Sequence, residues 1–190
     1  MNSFKGPLGS HRNYLVHIAF ENFVDYERLQ KSHTEKKQHS TSHKYKEFRF
    51  FLNAVESFNN VLDYFYFEFE EQLSPLNLED FKGKAHKKYP DLSDLNNIAN
   101  AYKHCVRSDR TGKKKNTNRI WARDLQKPKL NVAVDLRRIN IDVQYQFDWP
   151  IDEHEQKLLA VWKFWIDYHN QPNPEQQLLD TIKAEYPVAP

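Results

Sequence analysis

The chain has little cysteine and little glycine, and it has no long apolar run. Its single cysteine, Cys105, excludes an intramolecular disulfide and any zinc site built from several cysteines, and it is typical of a reducing compartment. Only four glycines occur: Gly6 and Gly9 lie before any periodic segment, and Gly83 and Gly112 stand alone, which excludes the glycine-loop nucleotide enzymes. No run approaches the roughly 18 apolar residues of a membrane span. We therefore expect a cytoplasmic protein without a membrane partner.

What the sequence does contain is a large set of aromatic residues. The 190 residues include 13 Phe, 10 Tyr and 4 Trp, against a hydrophobic fraction of 39%. Large aromatic side chains bury about 150–250 Å² each, so they can build a core from few residues. No internal repeat or linker interrupts the chain, which predicts a single domain over residues 1–190. The net charge of +2 favours no particular class of partner.

Hydrophobic periodicity predicts a mainly α protein, an antiparallel bundle of about five helices. The strongest pattern is an aromatic stripe on one long second helix without glycine or proline, with Phe58 near its middle, so this helix should be the spine of the core. Asp152 with Glu155, and Asn173 before Pro174, are typical helix starts. The predicted helices span residues 14–29, 45–73, 91–107, 152–170 and 173–186.

Between the third and fourth predicted helices the apolar period changes from 3.6 to 2. Alternating runs at residues 130–136 and 139–147 meet at Arg137 and Arg138, which predicts a two-stranded β-hairpin inserted in the bundle over about residues 129–149. A lone ribbon is marginal and needs the helices or another chain to cover it. We therefore expect a homo-oligomer.

The polar face of the third predicted helix carries the first candidate site. Asn97, Asn100, His104 and Arg107 are spaced three or four residues apart and form one stripe. Amides, an imidazole and a guanidinium together can hold a phosphate or an RNA linkage. The plainer alternative is an ordinary exposed helix face. The candidate catalytic residues are His104 and Asn100.

A basic run at residues 107–119 is the second candidate site. Lys113, Lys114 and Lys115 form its centre and can neutralise nucleic-acid phosphates, although a solvated basic loop explains them as well. A histidine-rich segment at residues 33–43 has no carboxylate at ligand spacing, so we predict no metal site there. No motif points to a cofactor.

The stretch from Asn97 to His104 resembles the HEPN superfamily, small helical bundles of bacteria and archaea. The likeness covers the long second helix, this stretch with Asn100 and Lys103, and a closing helix rich in Trp and Leu. It implies a metal-independent, usually dimeric RNase of a toxin–antitoxin, defence or mobile-element system, with RNA or a nucleotide as ligand. In that family an Arg precedes the catalytic His by four to six residues, and no Arg precedes His104 at that spacing.

These observations favour a non-catalytic binding or assembly module that forms a homo-oligomer. The alternative is a HEPN-like RNase or nucleotide-binding protein. The candidate binding residues of the two hypotheses are Asn97, Asn100, His104, Arg107, Lys113, Lys114 and Lys115.

Overall fold

Helices make up most of the part of the chain that the structure describes. The computed structural model describes residues 6–36, 41–103, 131–135, 138–142 and 151–184. The N-terminal helix consists of α1, a π-helical segment and α2, which follow one another without a break. If these three segments are counted as one helix, the described residues contain seven helices, because α3 to α8 follow. Their bounds are α1 His11–Tyr14, the π segment Leu15–Ala19, α2 Phe20–Lys36, α3 Thr41–Glu68, α4 Glu70–Leu73, α5 Leu78–Lys88, α6 Pro90–Lys103, α7 Ile151–Asn170 and α8 Pro174–Ala184.

The aromatic stripe of α3 lies at the centre of the core, as the periodicity predicts. Phe58 and Phe65 are almost completely buried. The ring of Phe58 packs against Phe20 and Phe23 of α2, at centroid distances of 6.0 and 6.3 Å. Burial of such a side chain contributes about 1.5–3 kcal/mol, so this stripe holds the surrounding helices together. The core also takes buried residues from every other long helix, among them Leu95, Ile98, Leu158, Trp165 and Ile182.

The second predicted helix, residues 45–73, is wrong at its C-terminal end. The helix α3 ends at Glu68, because Phe69 leaves helical geometry with φ −115° and ψ 20°, and α4 then begins. This break has a favourable electrostatic consequence. Acidic side chains are unfavourable in the last turn of a helix and favourable in the first turn. Ending α3 at Glu68 places Glu70 and Glu71 in the first turn of α4.

The helix α5 was not predicted, since the sequence analysis noted no helix between residues 74 and 90. It nevertheless has the signals of a helix. The side chain of Asn77 caps its start by accepting a hydrogen bond of 2.8 Å from the backbone N–H of Asp80. Phe81 and Ala85, four residues apart, supply its buried face. Lys82 Nζ lies 2.7 Å from Asp63 Oδ1 and ties α5 to α3.

The N-terminal helix is longer than predicted, whereas the last two helices start within one residue of their predicted positions. Residues 14–29 were expected to be helical, and the observed helix runs from His11 to Lys36. The polar residues that follow are also helical where the structure describes them, at 31–36 in α2 and at 41–44 in α3. Polar composition alone therefore did not mark the end of this helix.

The predicted fold class, about five helices with an inserted β-hairpin, is wrong as an architecture, although the helical class is right. The described residues form seven helices, and the core residues whose burial is described lie on these helices and on the turns between them. Two five-residue segments, β1 Asn131–Asp135 and β2 Arg138–Asp142, pair as antiparallel backbone, with Val132 opposite Ile141. A period of two in the sequence predicts extended backbone and does not determine whether a segment packs on the bundle. The rest of residues 129–149 lies outside the described residues.

Candidate binding cleft

Of the predicted site residues, two lie in the part of the chain that the structure describes. Asn97 and Asn100 lie on α6 and are both exposed, which fits their place on the polar face. His104, Arg107, Lys113, Lys114 and Lys115 lie outside the described residues. The described part of the stripe is therefore two exposed amides opposite the buried face of α6.

A cleft lies instead between α7, α8 and the junction of α5 with α6. Its volume is about 310 Å³. The helix α7 provides one wall and α8 the other, and Tyr89 from the junction closes one side. The lining residues are Tyr89, Phe164, Asp167, Tyr168, Gln171, Pro174, Gln177, Leu178 and Thr181.

The turn between α7 and α8 fixes the two long walls of the cleft. Asn173 has a positive φ of 52°, in the left-handed region that asparagine tolerates better than most residues. Pro174 then opens α8, and its fixed φ suits the first helical position. The side chain of Gln177 donates a hydrogen bond of 2.9 Å to the carbonyl of Pro172 and holds the turn against α8.

Aromatic rings form a continuous series along the α7 side of the cleft. The rings of Tyr89 and Phe164 lie 4.9 Å apart at an angle of 55°. Phe164 contacts Trp165 edge to face at 5.0 Å, and Trp165 contacts Tyr168 in the same way at 5.2 Å. Trp165 is fully buried, so it fixes its two neighbours at the cleft from behind.

Tyr168 connects the cleft to a buried polar cluster at the start of the N-terminal helix. His11 is 1% exposed. Its Nδ1 lies 2.7 Å from Glu68 Oε2, and its Nε2 lies 2.9 Å from the hydroxyl of Tyr168. The backbone N–H of His11 also donates to the same carboxylate oxygen, at 2.8 Å. With a neutral imidazole, Nδ1–H donates to Glu68 and Nε2 accepts from the Tyr168 hydroxyl.

The electrostatics of this cluster keep Glu68 ionised and Tyr168 protonated at neutral pH. Burial raises the pKa of the Tyr168 phenol, and the nearby carboxylate of Glu175 raises it further. Burial also acts to raise the pKa of Glu68, but the hydrogen bonds from His11 outweigh it and hold that pKa below its ordinary value of 4.5. Arg12 pairs with Glu175 beside them.

This cluster joins parts of the chain that are far apart in sequence. Glu68 is 57 residues from His11, and Tyr168 is 157 residues from it. The sequence analysis missed it because His11 precedes the predicted first helix and has no local motif. One available signal was Ser10, whose side chain caps α1 by accepting a hydrogen bond from the backbone N–H of Asn13.

Asp167 is the one lining residue of the cleft with a charged side chain. It is exposed, and no Lys, Arg or His among the described residues forms an ion pair with it. Elsewhere in the described chain, no group of three or more His, Cys, Asp or Glu is placed to hold a metal ion. Likewise, no described helix is both long enough and apolar enough to cross a membrane.

Comparisons of the chain with protein-family models, curated proteins and solved structures give no match. The roles of the residues at the cleft therefore rest on their own geometry and chemistry.

Proposed function

We propose that the protein is a non-catalytic binding module whose ligand site is the cleft between α7 and α8. The observation that carries the proposal is this cleft, whose aromatic wall is fixed from behind by the fully buried Trp165. Binding sites for small groups are concave, mostly preformed, and lined by aromatic side chains with a few polar groups. The lining of this cleft combines three aromatic residues with two apolar and four polar ones.

The state of the titratable groups under the cleft supports binding rather than catalysis. His11 is buried, and both of its ring nitrogens are within hydrogen-bond distance of Glu68 or Tyr168. A general base needs a free nitrogen within reach of the substrate proton. The raised pKa of Tyr168 keeps its phenol protonated, so it is a poor nucleophile at neutral pH. These groups position the wall of the cleft.

A screen of small fragments can test the cleft as a binding site. Gln177 and Gln176 are neighbouring exposed residues of α8, and of the two, Gln177 lines the cleft. We expect ligand-observed NMR to find fragments that bind the wild type and Gln176→Trp but not Gln177→Trp, because the indole at 177 occupies the mouth. If every fragment that binds the wild type binds Gln177→Trp equally well, the cleft is not the ligand site.

The module is also proposed to be a homo-oligomer in the cytoplasm. The support for self-association is the aromatic-rich composition. Light scattering at micromolar concentration tests it directly. A measured mass of 22.8 kDa, that of one chain, would contradict the proposed homo-oligomer. It would not affect the proposal that the cleft binds a ligand.

A HEPN-like RNase or nucleotide-binding protein is the second candidate function. The observation that favours it is the exposure of Asn97 and Asn100, since a nucleic-acid contact needs an exposed stripe. In this hypothesis His104 acts in proton transfer, and the basic run around Lys114 binds phosphate.

Salt dependence tests this second candidate. Binding to single-stranded RNA should weaken with salt, with a log–log slope of about −0.7 per phosphate contact. Replacing Lys113, Lys114 and Lys115 with alanine should lower both affinity and slope. His104→Ala should abolish cleavage while leaving binding intact. Wild-type protein that neither binds nor cleaves a mixed RNA pool would exclude this function.

A further inference from the structure

We infer that the cleft between α7 and α8 binds an organic ammonium group, held between the carboxylate of Asp167 and the rings of Tyr89 and Phe164. This inference rests on the proposed function, since it names the ligand class of the same cleft. It is carried by the charge, the ring geometry and the size of the cleft.

The charge of the lining selects for a cation. Among the nine lining residues Asp167 is the one acidic residue, and no Lys, Arg or His lines the cleft. Arg12 is the cation that lowers the pKa of Tyr168, but its guanidinium is paired with the carboxylate of Glu175. No cation among the described residues pairs with the carboxylate of Asp167, and a carboxylate beside aromatic rings favours a positively charged ligand and repels anions such as phosphates.

The aromatic rings add a second attraction for the same charge. Tyr89 and Phe164 meet at 55° with their centroids 4.9 Å apart, so the two rings form a corner. The face of an aromatic ring carries partial negative charge and attracts ammonium groups within about 6 Å of its centroid. Tyr168 provides a third ring at the cleft, fixed by the hydrogen bond of its hydroxyl with His11.

The size of the cleft limits what the ammonium group can carry. At 310 Å³ the cleft is near the lower end of the range of small-molecule sites, roughly 300–1,000 Å³. It therefore suits an ammonium head with a short alkyl chain and not a nucleotide. The side chains of Gln171 and Thr181 also line the cleft and can contact a polar group attached to that chain. A free amine and a methylated lysine side chain share this chemistry.

The decisive comparison is between a cation and its neutral isostere. We expect NMR titrations to show that choline binds the wild type at millimolar concentration and that 3,3-dimethylbutan-1-ol, which replaces the nitrogen by carbon, binds several-fold more weakly. Asp167→Asn and Phe164→Leu should each weaken choline binding about two- to fivefold. The matched control is Asp180→Asn, because Asp180 is an exposed acid of α8 that does not line the cleft. It should bind choline as the wild type does.

A parallel titration with a capped trimethyllysine distinguishes the two sources of the ammonium group. Tighter binding of the capped residue than of choline would assign the cleft to a lysine side chain, and the reverse order to a free amine. Equal binding of choline and its isostere would overturn the ammonium assignment while leaving the cleft as a binding site. Choline binding that is unchanged in both cleft variants would place it elsewhere and would also overturn the inference. Failure of the proposed binding function is a separate result, because the fragment screen would then find no fragment whose binding depends on residue 177.

Discussion

Replacement of Phe58 by alanine should lower the free energy of unfolding by about 3–5 kcal/mol, the usual cost of removing a buried phenylalanine. Phe58 is 1% exposed and packs against Phe20 and Phe23, so its loss leaves a cavity at the contact of α2 with α3. Chemical denaturation followed by circular dichroism measures the change directly.

The matched control for this substitution lies on the same helix. Phe67 is 63% exposed, so Phe67→Ala removes the same atoms from a surface position. Its unfolding free energy should change by no more than about 0.5 kcal/mol. A Phe58→Ala protein with the denaturation midpoint of the wild type would contradict the placement of the aromatic stripe in the core.

Replacement of His11 by alanine should be the second large effect, a loss of about 2–4 kcal/mol. The substitution removes the side-chain hydrogen bonds with Glu68 and Tyr168 and leaves the buried Tyr168 hydroxyl without this partner. Water replaces part of the lost bond at Glu68, because a third of that side chain is exposed. His17→Ala, at an exposed position of the same helix, is the control and should be close to neutral.

The same cluster predicts how stability changes in acid. The folded pKa of Glu68 lies below its ordinary value of 4.5. The contribution of Glu68 to the free energy of unfolding is therefore complete above about pH 4.5. It is lost as the pH falls through the lower pKa that Glu68 has in the folded protein. In His11→Ala the side-chain hydrogen bond that lowers this pKa is removed, while the backbone N–H bond at position 11 stays, so this acid-dependent part should shrink without vanishing. An identical slope of unfolding free energy against pH between 3 and 5 in both proteins would contradict this role of His11.

The helical spine could be predicted because its information is local. The stripe through Phe58 repeats with the helical period, and the starts of α7 and α8 carry capping residues at fixed offsets. The break at Phe69 was missed, although the acidic residues around it were a usable signal. The helix α5 was missed because its two buried residues, Phe81 and Ala85, make too short a pattern beside its many charges.

The cleft could not be predicted from the sequence, because its parts meet through packing. Tyr89 and Phe164 are distant in the chain, and no local spacing relates them. The same holds for His11 and its two partners. By contrast, the stripe from Asn97 to His104 was visible in the sequence, since every amphipathic helix has such a face. Local periodicity identifies faces, whereas a site made by distant residues depends on the whole fold.

The long sequence separations in the His11 cluster also bear on how the protein folds during synthesis. Tyr168 is made 157 residues after His11. At roughly 5–20 residues per second, the ribosome needs about 10–30 s to supply that partner. During this interval the nascent N-terminal helix and α3 can pair, but Trp162 of α7, which stacks on Phe23, has not yet been made. The growing chain therefore exposes an apolar surface that chaperones can recognise until α7 and α8 emerge.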